Sequence, residues 1–273
     1  MAERRRLAGG APGRGLLVIA ADRPARGALA AGRATMADRW DLLDRIREAL
    51  ARPGVDGFLG TADLVEDLGL LGALEGKLVL GSMNRGGVAG TAFELDDRFT
   101  GYDAAGIAAA GLDGGKMLLR IDPDDRASAA TLEACARAVD ELAGRGLVAM
   151  VEPFWATRVA GRVRNDLDPE HMIRAISVAS GLGRTSAYTW LKVPMVRDLG
   201  RVLSATTLPT FVLGGEVQDD DALLADLAEA LVLPAVRGVG IGRAVLHPAG
   251  RDVAGGVDTV VRLLAARTRG ADR

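Results

Sequence analysis

Lysine is scarce in this chain, and two of its lysines stand where a free amine could do covalent chemistry. Among 34 basic residues only Lys77, Lys116 and Lys192 are lysine; the others are arginine. Arginine keeps its proton at any accessible pH, whereas a buried lysine can release it. In so arginine-rich a chain, a retained lysine points to a need for that amine. Lys116 lies in the run G-G-K-M-L-L-R-I-D and Lys192 in Y-T-W-L-K-V-P-M, both apolar and strand-like. A lysine inside a packed strand is costly unless it is paired or its pKa is depressed. The chemistry this suggests is a Schiff base with a carbonyl. The competing reading is a pair of snorkelling or ion-paired lysines. Lys77 opens another strand-like run and reads as an ordinary surface lysine.

Positioning such amines requires strands, and the apolar pattern supplies them. Strand-like runs at 16–21, 55–60, 77–82, 116–121, 147–152, 188–193, 210–213 and 239–241 alternate with helical patterns at 37–51, 62–73, 104–110, 127–143, 169–180, 196–205, 220–231 and 253–266. The strands are short and nearly continuous in hydrophobicity, as parallel strands covered on both faces should be. Eight strand–helix units predict a closed (β/α)8 TIM barrel of α/β class. It forms a single domain over 15–270, behind a disordered tail at 1–14. A doubly wound open sheet would carry G-x-G-x-x-G after its first strand, and that turn is absent. The longest irregular insertion, 83–102, is expected over the face where strands end.

In such barrels the C-terminal strand ends carry the chemistry. The polar residues there are Asp22 and Arg23 after the first strand, Arg120 and Asp122 on the fourth, and Glu152 closing the fifth. Gly214, Gly215 and Glu216 close the seventh, and Gly242 and Arg243 the eighth. Side chains alternate along a strand, so an inward Lys116 puts Leu118, Arg120 and Asp122 on the same face. Trp190 and Pro194 share the face of Lys192. The fourth, fifth and sixth strands are neighbours, so Lys116, Glu152 and Lys192 converge. That gives an amine nucleophile, a second cation and a carboxylate for proton transfer. An interior salt-bridge network of the same residues needs the same convergence. The glycines at 214, 215 and 242, with Arg243, suit a phosphate cradle after the last two strands.

Other chemistries are constrained by what is missing. The two histidines, His171 and His247, have no ligand spacing with a cysteine, which argues against a zinc site. A magnesium site from Asp22, Asp122 and Glu152 stays open. The single cysteine, Cys135, falls in a helical run as a buried structural thiol, and forming no disulfide it fits a reducing cytosol. Formal net charge is −2, so neither nucleic acid nor an anionic membrane is called for as a partner. No apolar run approaches the ~20 residues of a membrane span.

G-G-K-M-L-L-R-I-D-P-D-D followed by G-L-V-A-M-V-E-P-F resembles the class I aldolases of the tagatose-bisphosphate and sulfofructose-phosphate type. Y-T-W-L-K-V-P resembles their Schiff-base strand, and F-V-L-G-G-E-V with V-G-I-G-R-A-V their last two strands. The wider relatives are bacterial class I fructose-bisphosphate and deoxyribose-phosphate aldolases. The whole chain is similar to actinobacterial (β/α)8 proteins associated with inositol-catabolism gene clusters. The resemblance implies Lys192 as the iminium lysine, Glu152 as proton shuttle and Lys116 as the cation that keeps Lys192 deprotonated. It implies Asp22 as a contact to a substrate hydroxyl and Arg120 as partner of a substrate carboxylate. Many relatives follow the strand-1 aspartate with histidine, where this chain has Arg23, and carry a tyrosine-like residue at Arg120.

The implied activity is a metal-independent lyase acting in the cytoplasm. It cleaves a phosphorylated ketose or keto-sugar acid to dihydroxyacetone phosphate and an aldehyde, with 6-phospho-5-dehydro-2-deoxygluconate as the named candidate. No cofactor is implied beyond the covalent Schiff base on Lys192, and a homo-oligomer is compatible with the outer helices. The alternatives are an aldolase of the deoxyribose-phosphate type and a non-catalytic phosphosugar-binding regulatory barrel.

Overall fold

A computed structural model describes residues 14–31, 34–84, 87–214, 220–248 and 252–271. The predicted tail lies outside these residues except for Arg14. The strands are β1 (Leu16–Ala20), β2 (Ala30–Ala31), β3 (Ala34–Thr35), β4 (Gly57–Gly60), β5 (Leu78–Ser82), β6 (Gly114–Ile121), β7 (Val148–Val159), β8 (Arg162–Asp166), β9 (Thr189–Pro194), β10 (Thr210–Leu213) and β11 (Val236–Ile241). Eight of them pair in parallel and close a ring in the order β1, β4, β5, β6, β7, β9, β10, β11 and back to β1. The predicted TIM barrel is therefore the observed fold.

Helices form where the apolar stripe and its caps agree. Helix α1 (Arg39–Ala51) starts at Asp38, whose carboxylate accepts hydrogen bonds from the Trp40 and Asp41 amides. It buries Leu42, Leu43, Ile46, Ala49 and Leu50, a stripe at helical spacing. Among the described residues no helix is long and apolar enough to cross a membrane.

Two apolar layers carry the barrel. One lies between sheet and helices and runs right round the ring. The other is a plug inside the ring, built from Leu16, Val18, Leu59, Leu78, Leu80, Val148, Met150, Trp190 and Phe211. Full burial of each large side chain contributes about 1.5–3 kcal/mol. The plug fills only the lower interior. Continuing the inward alternation from Val148 and Met150 leads to Glu152, and from Trp190 to Lys192, so polarity begins above it. The rings of Trp190 and Phe211 stack at 5.1 Å and form an apolar floor beneath the lysine.

Glycine stands at 238 and 240 on the inward face of β11 and again at 242 just after it, and space explains it. A Cβ on Gly238 would lie 2.5 Å from the Phe211 ring, and one on Gly240 would lie 3.1 Å from Lys192 Cε. A Cβ on Gly242 would stand 2.1 Å from the Ala20 carbonyl oxygen, where β1 and β11 close the ring. The run G-V-G-I-G thus leaves room for the large residues of neighbouring strands.

The structure departs from the sequence expectation in several elements. The fifth barrel strand does not end at Glu152. It runs 12 residues and folds back through β8 as a hairpin above the barrel. Pro153 reads as a stop because it has no N–H to donate, yet it sits in the strand opposite Leu119. The turn is the pair Ala160 and Gly161, with φ of 49° and 76°, the left-handed geometry that tight hairpins require. The helix expected at 196–205 is confined to Leu199–Leu203, and β11 begins at Val236. The short pair β2–β3 and the four-residue helix Arg243–Leu246 were not anticipated.

Candidate active site

Four charged groups meet above the plug. Lys192 Nζ donates to Glu152 Oε1 at 2.8 Å, Lys116 Nζ pairs with Glu152 Oε2, and Lys116 Nζ also donates to Asp22 Oδ2 at 2.7 Å. One glutamate is thus shared between two ammonium groups, and a second carboxylate completes the balance of charge. Strand register produces the meeting. Val151 pairs with Leu191, which sets Glu152 beside Lys192, while Leu118 pairs with Glu152, which sets Lys116 one inward position lower. Lys116, Lys192, Glu152 and Asp22 are only 3%, 6%, 7% and 8% exposed, so each depends on its partners for solvation.

Burial alone would raise both carboxyl pKa values and lower that of Lys116. Proximity outweighs it. Lys116 and Lys192 hold the Glu152 carboxyl well below the usual range. Asp22 is likewise lowered, by Lys116 first and then Lys192, against its burial and the repulsion of Glu152. The Lys116 ammonium is raised above its ordinary value by Asp22 and Glu152 despite burial. Lys116 therefore stands as a fixed positive charge in the resting cluster.

The cluster forms the floor of a cavity of about 540 Å³, within the range of small-molecule sites. Five arginines and two lysines line it against three carboxylates, on a chain whose net formal charge is −2. Such concentrated positive charge favours an anionic ligand. Gly214, Gly242 and Arg243 line it on the β10–β11 side, and the predicted Gly215 lies outside the described residues. The β7–β8 hairpin contributes Val163, Arg164 and Asn165 to its wall. These residues were missed because the hairpin was missed; the aromatic and β-branched residues of F-W-A-T-R-V, followed by Ala-Gly and R-V-R, were the available signal.

Arg120 lines the cavity, but its guanidinium is already engaged. Its Nε donates to Asp97 Oδ2 at 2.9 Å, a second nitrogen bonds Asp97 Oδ1, and the Glu94 carbonyl and carboxylate lie alongside. Asp97 and Glu94 belong to the 83–102 segment, so Arg120 ties that segment to β6 instead of awaiting a ligand. Asn84 reinforces the tie, donating to the Asp97 and Leu118 carbonyls at 3.0 and 2.8 Å and accepting from the Leu118 amide. The segment is expected over the strand-end face, and there its described residues 87–102 form a fastened wall. Asp97→Asn takes from a buried guanidinium the nearer of its two counter-charges, leaving only the Glu94 carboxylate at 3.6 Å. The expected loss of folding stability is about 3–5 kcal/mol, measured by urea unfolding.

Asp122 does not join the cluster. The strand ends at Ile121, so its alternation no longer governs the next residue. The Asp122 carboxylate instead accepts the Asp124 amide, and its backbone is held by Ser128. Asp22 and Glu152 converge on Lys116, and among the described residues no group of three His, Cys, Asp or Glu side chains is placed to hold a metal. Cys135 is fully buried in the helix Ala127–Gly144, and burial pushes its thiol pKa up. Lys77 donates to the Val55 carbonyl at the opposite end of the barrel.

Fold and site together define a (β/α)8 barrel with a lysine–glutamate–lysine–aspartate cluster at the C-terminal strand ends. Residues 14–261 match the model of the Cgl0159-like family, and the chain belongs to that family. The crystal structure of Cgl0159 from Corynebacterium glutamicum is 49% identical over 94% of this chain and 87% of its own, with a TM-score of 0.91. At lower identity the fold is shared with a fructose-bisphosphate aldolase from Slackia heliotrinireducens (16% identity, 98% of this chain and 89% of that one, TM-score 0.73). It is also shared with an archaeal fructose-1,6-bisphosphate aldolase whose catalytic lysine is covalently bound to the carbinolamine intermediate (18% identity, 96% of this chain and 98% of that one, TM-score 0.70). No curated protein matches the chain in sequence.

Proposed function

We propose that this protein is a class I aldolase that cleaves a phosphorylated ketose or keto-sugar acid through a Schiff base on Lys192. The observation that carries this reading is the hydrogen bond between Lys192 Nζ and Glu152 Oε1 at the floor of a cationic cavity. A salt bridge with no task would gain nothing from opening onto such a cavity.

The amine passes a proton to Glu152 and attacks the substrate ketone carbon, forming a C–N bond and a carbinolamine. Glu152 returns a proton to the carbinolamine hydroxyl, water leaves, and an iminium remains. The hydroxyl on the far carbon of the scissile bond gives its proton to the Glu152 carboxylate, that bond breaks, and its electron pair flows into the iminium to give an enamine and a free aldehyde. Protonation of the enamine and addition of water release the second product and the amine. While the amine is a neutral carbinolamine, one of the two cations that hold down Glu152 is absent, so Glu152 can keep the proton it has accepted until it returns it to the hydroxyl. Lys116 keeps its charge throughout, anchored by Asp22.

The substrate phosphate is assigned to Gly214, Gly215, Gly242 and Arg243, whose backbone amides and guanidinium suit an oxyanion. Asp22 is assigned to a substrate hydroxyl. The products are dihydroxyacetone phosphate and an aldehyde. Resemblance to the inositol-cluster proteins supports 6-phospho-5-dehydro-2-deoxygluconate as the substrate, and the cationic lining suits its two charges. The chemistry asks for no cofactor. Borohydride reduction in the presence of dihydroxyacetone phosphate, followed by peptide mass spectrometry, is expected to give one reduced adduct, on Lys192. No adduct with this donor, with acetaldehyde or with a set of ketose phosphates would remove the aldolase reading.

A further inference from the structure

The cavity's cations differ in how they are satisfied. Lys116 and Lys192 share Glu152, Lys116 also holds Asp22, and Arg120 holds Asp97. Arg26 lines the same cavity, half-buried, and among the described residues it has no hydrogen bond or ion pair from its guanidinium. Its backbone is nonetheless firmly placed. It ends the 3-10 turn Arg23–Arg26, which has Pro24 as its second residue and is terminated by Gly27 at φ 77°. The Arg26 carbonyl accepts the Ala89 amide at 2.9 Å, which braces this turn against the fastened 87–102 wall.

The charges that act on Arg26 are the repulsive Arg120 and Arg23 and the attractive Glu152 and Asp22, and both carboxylates already serve lysines. Burial and the two arginines lower its pKa below the ordinary arginine value. A guanidinium held in a cavity among like charges is a binding group without its ligand. Arg26 itself follows β1, the neighbour of β11, but Arg120, the foremost charge acting on it, stands on β6, across the ring from β11 and Gly242.

We infer that Arg26, with Arg23 and Arg164 on the same cavity wall, forms a second anion site, so that the ligand carries a negative group at each end: a phosphate toward Gly242 and a carboxylate or second phosphate toward Arg26. The inference rests on the aldolase reading for the identity of the phosphate end. It moves recognition of the second anion from Arg120, which is engaged, to Arg26.

The test uses probes that lack a ketone and so bind without Schiff-base chemistry: 6-phosphogluconate, glucitol 1,6-bisphosphate and glucitol 6-phosphate. Calorimetry on the wild type is expected to show at least one two-anion probe binding roughly tenfold or more tighter than glucitol 6-phosphate. Arg26→Met is expected to bring that ratio to within about twofold, and Arg26→Lys to keep part of it. Whichever two-anion probe is tighter identifies the anion, and either result supports the site. Equal binding of all three by the wild type, no binding of either two-anion probe, or a ratio unchanged in Arg26→Met would overturn it. Selectivity without a borohydride adduct on Lys192 would leave the Arg26 site standing and remove the aldolase reading; an adduct without selectivity would do the reverse.

Discussion

Lys192→Met is expected to abolish cleavage, with a loss of roughly 10⁴-fold or more, the scale of removing a covalent nucleophile. Methionine keeps an unbranched apolar stem over the Trp190 and Phe211 floor and still fits beside Gly240, so packing is nearly conserved. Only the amine is lost. Borohydride reduction with dihydroxyacetone phosphate should then give no adduct at any lysine. Lys116 provides the internal control. It is buried in the same cluster, but Asp22 and Glu152 hold its proton, so it cannot take over the attack. An adduct that moves to Lys116 would show that the cluster's charge balance has been read in the wrong order. Cleavage that survives with no adduct at all would show that carbon–carbon bond breaking here does not pass through an iminium.

The parts of this site legible in the sequence were those governed by local pattern. Alternation along β6, β7 and β9 is a two-residue period, so inward faces for Lys116, Glu152 and Lys192 followed once the runs were recognised as strands. The glycines of 238–242 were legible only as a phosphate cradle at Gly242; that they make room for neighbours, Lys192 among them, is seen only in the fold. What was not legible depends on distant partners. Nothing near Arg120 announces that Asp97, 23 positions earlier, will claim its guanidinium; that pairing exists only once 83–102 folds back on β6. The β7–β8 hairpin was hidden by Pro153, which punctuates a sequence but in this strand does not interrupt pairing. Arg26 sits in R-P-A-R-G, which reads as a connection, and its position in the cavity comes from a backbone bond to Ala89. The lysine–glutamate cluster is thus written in strand periodicity, while the upper wall of the cavity comes from connections above the barrel, where period-based reading has no purchase.

Glu152→Gln tests the cluster as an electrostatic unit. Glutamine preserves shape but presents an amide N–H₂ to one of the two ammonium groups, so one attraction becomes a clash of donors. In the proposed mechanism Glu152 serves both carbinolamine formation and the departure of water, so its loss is expected to lower turnover about 10²–10⁴-fold. Folding should also weaken, by about 3–5 kcal/mol at neutral pH, because buried cations are left short of a counter-charge. The pH dependence separates this from a packing effect. A carboxylate whose native pKa is depressed contributes stability that is complete above its unfolded value, about 4.3 for glutamate, and is lost as pH falls toward the native one. The stability difference between wild type and Glu152→Gln should therefore be constant from about pH 5 through neutrality and narrow steadily below that. At the alkaline end the raised Lys116 contributes stability that is complete below its unfolded value of about 10.4 and declines as pH rises toward the native one. In Glu152→Gln one of the two carboxylates that raise Lys116 is gone, so its alkaline limb should be smaller and end at lower pH than in the wild type. Urea unfolding across this range reads both limbs. A difference that stays the same from pH 7 to pH 3 would mean that Glu152 supports the fold through shape alone, and the shared-glutamate cluster would then lose its electrostatic role.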